Sequence, residues 1–214
     1  MEEQDLFDLI TARIQDKVIQ YDKGKIKVGV SNHHVHVSRE DLDILYGTDY
    51  ALTQKSKLGQ PGQFAAKETV TLKGPKGEFK NVRILGPIRR QSQVEISKTD
   101  SFRLGIAAPI TLSGHLEGTP GITLIGPRGS VELPQGVIIA KRHIHMTPAQ
   151  AAERGLHDNQ IVSVETFGER QGVLGDVVIR VSEASALEIH VDVDEANACS
   201  LKNKDYVMIC PESY

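Results

Sequence analysis

The sequence predicts a mainly β protein built of two related β-domains with short capping helices, preceded by an amphipathic helix. Three observations carry this reading. Short alternating apolar runs recur along the chain, Gly and Pro signals separate them, and one strand–helix unit occurs twice. The 214 residues include 19 Gly and 9 Pro, a punctuation that suits short strands and tight turns. Aromatic residues are only 5% and Trp is absent, so the core has to come mainly from Val, Ile and Leu.

The first element is helical. Phe7, Ile10, Ile14 and Val18 recur at helical spacing among Asp5, Asp8, Arg13, Asp16 and Lys17, and Asp22-Lys23-Gly24 ends the pattern. Such a helix packs on the following domain or on a second subunit of a homo-oligomer, or it serves as a docking peptide. Strands are expected at Lys25 to Val30, Thr69 to Lys73, Val82 to Leu85, Ile122 to Ile125 and Val162 to Thr166. Others follow at Val177 to Val181, Leu187 to Val191 and Tyr206 to Ile209. The turns between them include Pro61-Gly62, Gly74-Pro75-Lys76-Gly77, Pro120-Gly121 and Gly126-Pro127-Arg128-Gly129. Strands this short and this closely spaced point to closed or sandwiched β-structure rather than a βαβ sheet.

The repeated unit begins with a histidine pair. His34-Val35-His36-Val37-Ser38-Arg39-Glu40-Asp41 recurs as His143-Ile144-His145-Met146-Thr147-Pro148-Ala149-Gln150. Thr147 with Gln150 has the form of a capping box, Pro148 falls at the first helical position, and Gly155 suits the residue after the helix. Ser38 with Asp41 is the related signal, with Gly47 at the far end. Each copy therefore reads as a strand, a histidine pair and a capped short helix.

Charge and composition exclude several classes. Lys plus Arg is 25 against 28 Asp plus Glu, a net charge of −3, without the basic excess of a nucleic-acid binder. Val137 to Ala140, the longest aliphatic run, is too short to span a bilayer. The opening Met-Glu-Glu-Gln-Asp lacks the basic region of a secretory signal. Two cysteines, Cys199 and Cys210, make no disulfide framework, so a cytoplasmic setting is expected.

The chemistry lies in the eight histidines. Residues i and i+2 of a strand share a face, so His34 projects with His36 and His143 with His145. Two imidazoles on one face can chelate a divalent ion, and with so little cysteine the ligands must be nitrogen and oxygen. His190, between Ile189 and Val191, either satisfies a backbone group at a core edge or joins a metal set. His115 sits in a Gly-rich loop, His157 in a turn, and His33 points away from His34. Between the repeats, Arg89 and Arg90 follow a Gly-Pro turn. Arginine in a turn is ordinarily solvated, yet its planar fork also suits phosphate. Glu95, flanked by Val94 and Ile96, needs a cation if it faces inward.

Three runs together resemble the PduL-type phosphate acyltransferases (phosphotransacylases). They are Val28 to Ser38, Leu85 to Ser97 and Ala140 to Met146, and the likeness continues through Leu187 to His190 and Asp194 to Ala198. It spans nearly the whole chain after Gly24. The resemblance implies two β-barrel domains with capping helices, the first strand being completed by the C-terminal part. The domains are then 23–32 with 141–214, and 33–140, after the helix at 1–22. It further implies two Zn²⁺ ions between the domains, held by His34, His36 and Glu95, and by His143, His145 and His190. Arg89 then binds phosphate and Ser113 lies close to the site. Coenzyme A contacts are expected at Ile26, Lys27 and Val28, and at Lys57, Phe102 and Asn197. One departure is His33, where many relatives have Arg. The N-terminal helix resembles the peptides that bring some members into bacterial microcompartments, although it runs almost directly into the core.

The chemistry expected of the residues agrees. Three protein ligands leave a fourth zinc position open, as in catalytic sites. Acyl transfer between a thioester and phosphate needs a polarised carbonyl, a stabilised leaving thiolate and an anion held in line. Neither cysteine has a histidine at useful spacing, so direct transfer without an acyl-enzyme is expected. The rival reading is a cupin-like single-metal barrel, since His34-x-His36-x₃-Glu40-x₆-Gly47 fits the first cupin motif. Ser38 and Asp41 oppose it by placing Glu40 in a helix, and the second copy has Ala149 at that position. A (β/α)₈ amidohydrolase would need about 250 residues and regular helices. A non-catalytic metal-storing or shell-associated protein leaves Arg89 and the repeat unexplained.

Overall fold

The computed structural model describes residues 5–7, 10–15 and 24–210. Strands and helices are labelled in chain order. Six strands close into a barrel: β1 (Lys25–Ser31), β11 (His143–Met146), β12 (Ile161–Thr166), β13 (Gly172–Val181), β14 (Glu188–Asp192) and β15 (Tyr206–Ile209). Their order around the barrel is β1-β14-β11-β13-β12-β15. The first strand is thus closed by the C-terminal third of the chain, parallel to β14 and antiparallel to β15.

The intervening residues form a nine-stranded sheet. Its strands are β2 (His34–His36), β3 (Gln54–Lys57), β4 (Phe64–Lys73), β5 (Glu78–Gly86), β6 (Gln93–Glu95), β7 (Ile110–Thr111), β8 (Ile122–Ile125), β9 (Ser130–Leu133) and β10 (Val137–Ala140). The order is β7-β10-β6-β2-β5-β4-β8-β9, with β3 on β4. Each sheet has its own apolar core. Ile26, Val28, Ile144, Ile179, Ile189 and Val207 are buried in the barrel, and Val35, Leu72, Ile84, Val94 and Leu124 in the larger sheet.

Four short helices follow four of these strands: α1 (Arg39–Tyr46), α2 (Lys98–Leu104), α3 (Pro148–Glu153) and α4 (Val193–Ala198). Each starts on a side chain that accepts a hydrogen bond from the backbone N–H three residues on: Ser38, Ser97, Thr147 and Asp192. The expected caps at Ser38 and Thr147 are there. Ahead of the last helix the cap is Asp192, whose carboxylate accepts from Glu195 N.

Three strands are longer than alternation predicted: β5 starts at Glu78, ahead of the expected Val82, and the other two have identifiable reasons. Strand β4 starts at Phe64, and its pattern is hidden by the buried carboxylate of Glu68, which accepts from Tyr50 Oη and Thr53 N, each at 3.0 Å. Strand β13 starts at Gly172, with Gly175 and the left-handed Asp176 interrupting its apolar pattern. The all-exposed β3 carries no apolar signal. At the N-terminus, residues 5–7 and 10–15 are helical, and Leu6, Phe7, Ile10 and Ile14 are 43–64% exposed. Val18 lies outside the described residues. Among the described residues, no helix is long and apolar enough to cross a membrane.

Candidate metal centre and substrate cavity

Strand parity builds the site. In the barrel, Ile144, Ile179 and Ile189 point into the core, which turns His143, His145, Arg180, Glu188 and His190 to the opposite face. In the larger sheet, Val35, Ile84 and Val94 point inward, which turns His34, His36, Gln93 and Glu95 outward. The two faces line one cavity of about 300 Å³. Register then sets the neighbours: His34 pairs with Glu95 and His36 with Gln93, while His143 pairs with His190 and His145 with Glu188.

Two triads result. The ligand atoms of His34, His36 and Glu95 lie within 4.8 Å of one another, as do those of His143, His145 and His190. His34 Nε2 is 3.4 Å from Glu95 Oε2, and His143 Nε2 is 3.0 Å from His145 Nε2. Two donors about 2.0–2.1 Å from a tetrahedral zinc ion are separated by about 3.3 Å, so both spacings suit that ion. The tautomers suit it as well. His34 Nδ1 is 2.8 Å from the Asn32 carbonyl and His143 Nδ1 is 2.8 Å from that of Lys141. Each Nδ1 therefore carries the proton and each Nε2 presents a lone pair. His36 Nδ1 is buried without a hydrogen bond, and the Leu85 carbonyl approaches the ring without reaching bonding geometry.

Electrostatics keep the donors available. Burial pushes His143 down to about 3, helped by His190 and His145, and His145 falls to about 3 through burial, His190 and Arg180. His36 is lowered by burial and then by His34 and Arg89. Burial pushes Glu95 upward, but His34, Arg89 and His143 together outweigh it and hold its carboxyl below the usual range. These rings are neutral and this carboxylate is charged at neutral pH, as metal ligation requires.

A polar layer surrounds the triads. Gln93, almost fully buried, donates through Nε2 to Glu95 Oε1 and to Ser113 Oγ at 2.8 Å, and its Oε1 accepts from Gly114 N. Arg89 donates to Ser113 Oγ at 3.0 Å, so Arg89 and Ser113 stand together beside Glu95. Across the cavity, Glu188 Oε2 lies 2.9 Å from His190 Nε2. Gln60, from the loop after β3, donates to the Ala186 carbonyl, accepts from Ala186 N and reaches Glu188 Oε2 at 3.3 Å. Two glycines make room here. A Cβ on Gly59 would meet the Glu188 carboxylate at 2.2 Å, and one on Gly29 would meet His190 Cδ2 at 3.0 Å.

Other expected residues stand apart. Ile26 and Val28 are side chains of the barrel core. Lys27, Lys57 and Asn197 are exposed and Phe102 is 71% exposed, all outside the cavity lining. His115 and His157 are exposed, away from both triads. His33 belongs to neither triad; it stacks on Phe79 and is 3.0 Å from Asp100 Oδ2. Glu40, which a cupin motif would need, is exposed in the first turn of α1. Cys199 is buried and Cys210 partly so, and neither lines the cavity. Sequence reasoning missed Gln60, Gln93, Arg180 and Glu188. For Gln93 and Glu188 a signal existed, since each lies two residues before a candidate ligand on the same strand face.

Comparison with known proteins adds an independent line. A family model described as phosphate propanoyltransferase matches residues 27–202. A phosphate propanoyltransferase of Rhodopseudomonas palustris is 57% identical over 88% of this chain and 84% of its own. One from Thermotoga maritima is 58% identical over 86% and 88% of the two chains, and one from Salmonella typhimurium is 47% identical over 92% and 93%.

Proposed function

The chain belongs to the phosphate propanoyltransferase family, and we propose that it moves a propanoyl or acetyl group between coenzyme A and inorganic phosphate in a two-zinc site. The observation that carries this reading is the pair of three-ligand triads facing one cavity, with Arg89 and Ser113 beside them. His34, His36 and Glu95 hold one Zn²⁺, and His143, His145 and His190 hold the other. Zinc supplies Lewis acidity at the thioester carbonyl and at the departing sulfur.

The chain's own residues do the rest. Arg89 holds phosphate, its guanidinium oriented by Ser113, so that one oxygen faces the carbonyl carbon. That oxygen forms the new C–O bond as the C–S bond breaks, and coenzyme A leaves as a thiolate that takes a proton from solvent. Gln93 keeps Glu95 in place through its amide. Transfer is direct, with no acyl-enzyme. This agrees with the placement of Cys199 and Cys210 outside the cavity lining.

Lys27, Lys57, Phe102 and Asn197 take coenzyme A on the exposed surface, with Ile26 and Val28 contributing backbone, and only its thiol end enters the cavity. We read the chain as two domains, 23–32 with 141–214 and 33–140, in keeping with the division between the two sheets. The exposed Leu6, Phe7, Ile10 and Ile14 favour a docking role for the N-terminal helix, as for delivery into a microcompartment of the cytoplasm where propanediol is degraded.

The test is free-thiol release from propanoyl-CoA and acetyl-CoA by the zinc-loaded protein, with and without phosphate and after chelation. Release that needs both phosphate and metal is expected. Release without phosphate would overturn the transferase reading.

A further inference from the structure

We infer that Arg180 is a second phosphate-holding cation, contributed by the barrel and closing on the substrate from the side opposite Arg89. The inference rests on the reading of phosphate as a substrate of this cavity. Three arginines line the cavity: Arg83 donates to the carbonyls of Ala66 and Lys67, and Arg89 is oriented by one bond to Ser113 with its other donors available for phosphate. Among the described residues, Arg180 has neither an anionic partner nor a hydrogen bond, although it is partly buried. A guanidinium taken partly out of water without a partner is costly, and an anionic ligand would supply the missing partner.

Its position gives the ligand. Arg180 pairs with His145 across β13 and β11, so it stands on the row of the second triad. The larger sheet has the same arrangement, with β5 parallel to β2 and His34 opposite Arg83, which puts Leu85 beside His36. Where one half of the fold places a leucine, the other places an arginine. Arg180 is also close enough to disfavour a further proton on His143 and His145 and to repel the Arg89 guanidinium. Two guanidiniums from two sheets around one cavity match the oxygens of a phosphate group, which can accept from both. The phosphates of coenzyme A are the other source of such an anion. The residues proposed for coenzyme A lie outside the cavity lining, so the inference commits to the inorganic substrate.

The experiment compares zinc-loaded wild type, Arg180→Gln and Arg180→Lys. Steady-state thiol release gives the KM for phosphate, calorimetry gives the affinity for coenzyme A, and ³¹P NMR follows binding of inorganic phosphate alone. Metal content and thermal unfolding establish that each variant is folded and loaded. Arg180→Gln should raise the KM for phosphate about ten- to a hundredfold and weaken the NMR-detected binding, with coenzyme A affinity within about twofold. Arg180→Lys should recover part of the loss. An unchanged KM for phosphate would overturn the inference, as would a loss confined to coenzyme A binding. If wild type releases thiol without phosphate, the functional reading fails instead, and phosphate binding unaltered by Arg180→Gln overturns the inference on its own.

Discussion

Glu95 and His190 hold the same place in the two halves of the fold. Glu95 sits opposite His34 on the antiparallel pair β6–β2, and His190 sits opposite His143 on the antiparallel pair β14–β11. Parallel neighbours flank both pairs in the same way: β10 and β5 in the larger sheet, β1 and β13 in the barrel. In each of the four strands the last proposed ligand is followed two residues later by a helix cap: His36 by Ser38, Glu95 by Ser97, His145 by Thr147 and His190 by Asp192. One strand–cap–helix unit thus builds both triads, and the exchange of Glu for His makes the two sites chemically different.

The equivalence extends to Gln93 and Glu188, each two residues before a proposed ligand and bonded to it. An amide N–H partners the carboxylate, and a carboxylate partners the imidazole. Outer partners of this kind typically contribute about 10–100-fold to metal affinity. Glu188→Ala should weaken one of two zinc sites by about that factor in chelator competition, while Glu188→Gln recovers part of it. Equal affinities in wild type and Glu188→Ala would remove Glu188 from this role.

The loop after β3 should be coupled to the same site. Gly59→Ala puts a methyl against the Glu188 carboxylate, which Gln60 and His190 hold in place. We expect Gly59→Ala to lower zinc affinity at one site and leave the other unchanged. Gln60→Ala leaves both backbone groups of Ala186 without their partner and should cost about 1–3 kcal/mol in chemical denaturation. Wild-type stability in Gln60→Ala would show that this contact between the sheets is dispensable.

Stability without metal should depend on pH in a defined direction. Burial, with His190 and His145, holds His143 near 3, against an ordinary value of 6.5. As pH falls, the unfolded chain takes up this proton before the folded one. The metal-free protein should keep full stability above about pH 6.5 and lose it progressively below. His143 alone should account for about 2 kcal/mol between pH 6.5 and 5. Melting temperatures of the metal-free protein from pH 5 to 7.5 measure this. A melting temperature that is flat or rising toward pH 5 contradicts it.

Much of this arrangement is legible in the sequence because it is local. Each histidine pair, its strand face and its cap occupy about ten consecutive residues, and alternation alone turns His34 with His36 and His143 with His145 to one side. Ser97 with Asp100 is the same capping signal and follows Glu95 at the same spacing, but no second histidine marks its strand. Arg180 had no local signal. Its meaning comes from β13 lying parallel to β11, a pairing between strands far apart in the chain. Gln60 was hidden likewise, since its partners Ala186 and Glu188 belong to the other sheet. The resemblance to a family supplied the pairing of Glu95 with the first histidine set, which spacing alone left open.

The most direct test of two sites serving one cavity is the zinc content of the purified, zinc-saturated chain and of two ligand variants. Wild type should hold two ions per chain, and His34→Ala and His143→Ala one each, with neither variant releasing thiol from propanoyl-CoA. One ion per wild-type chain, or full turnover by either single-site variant, would contradict the account.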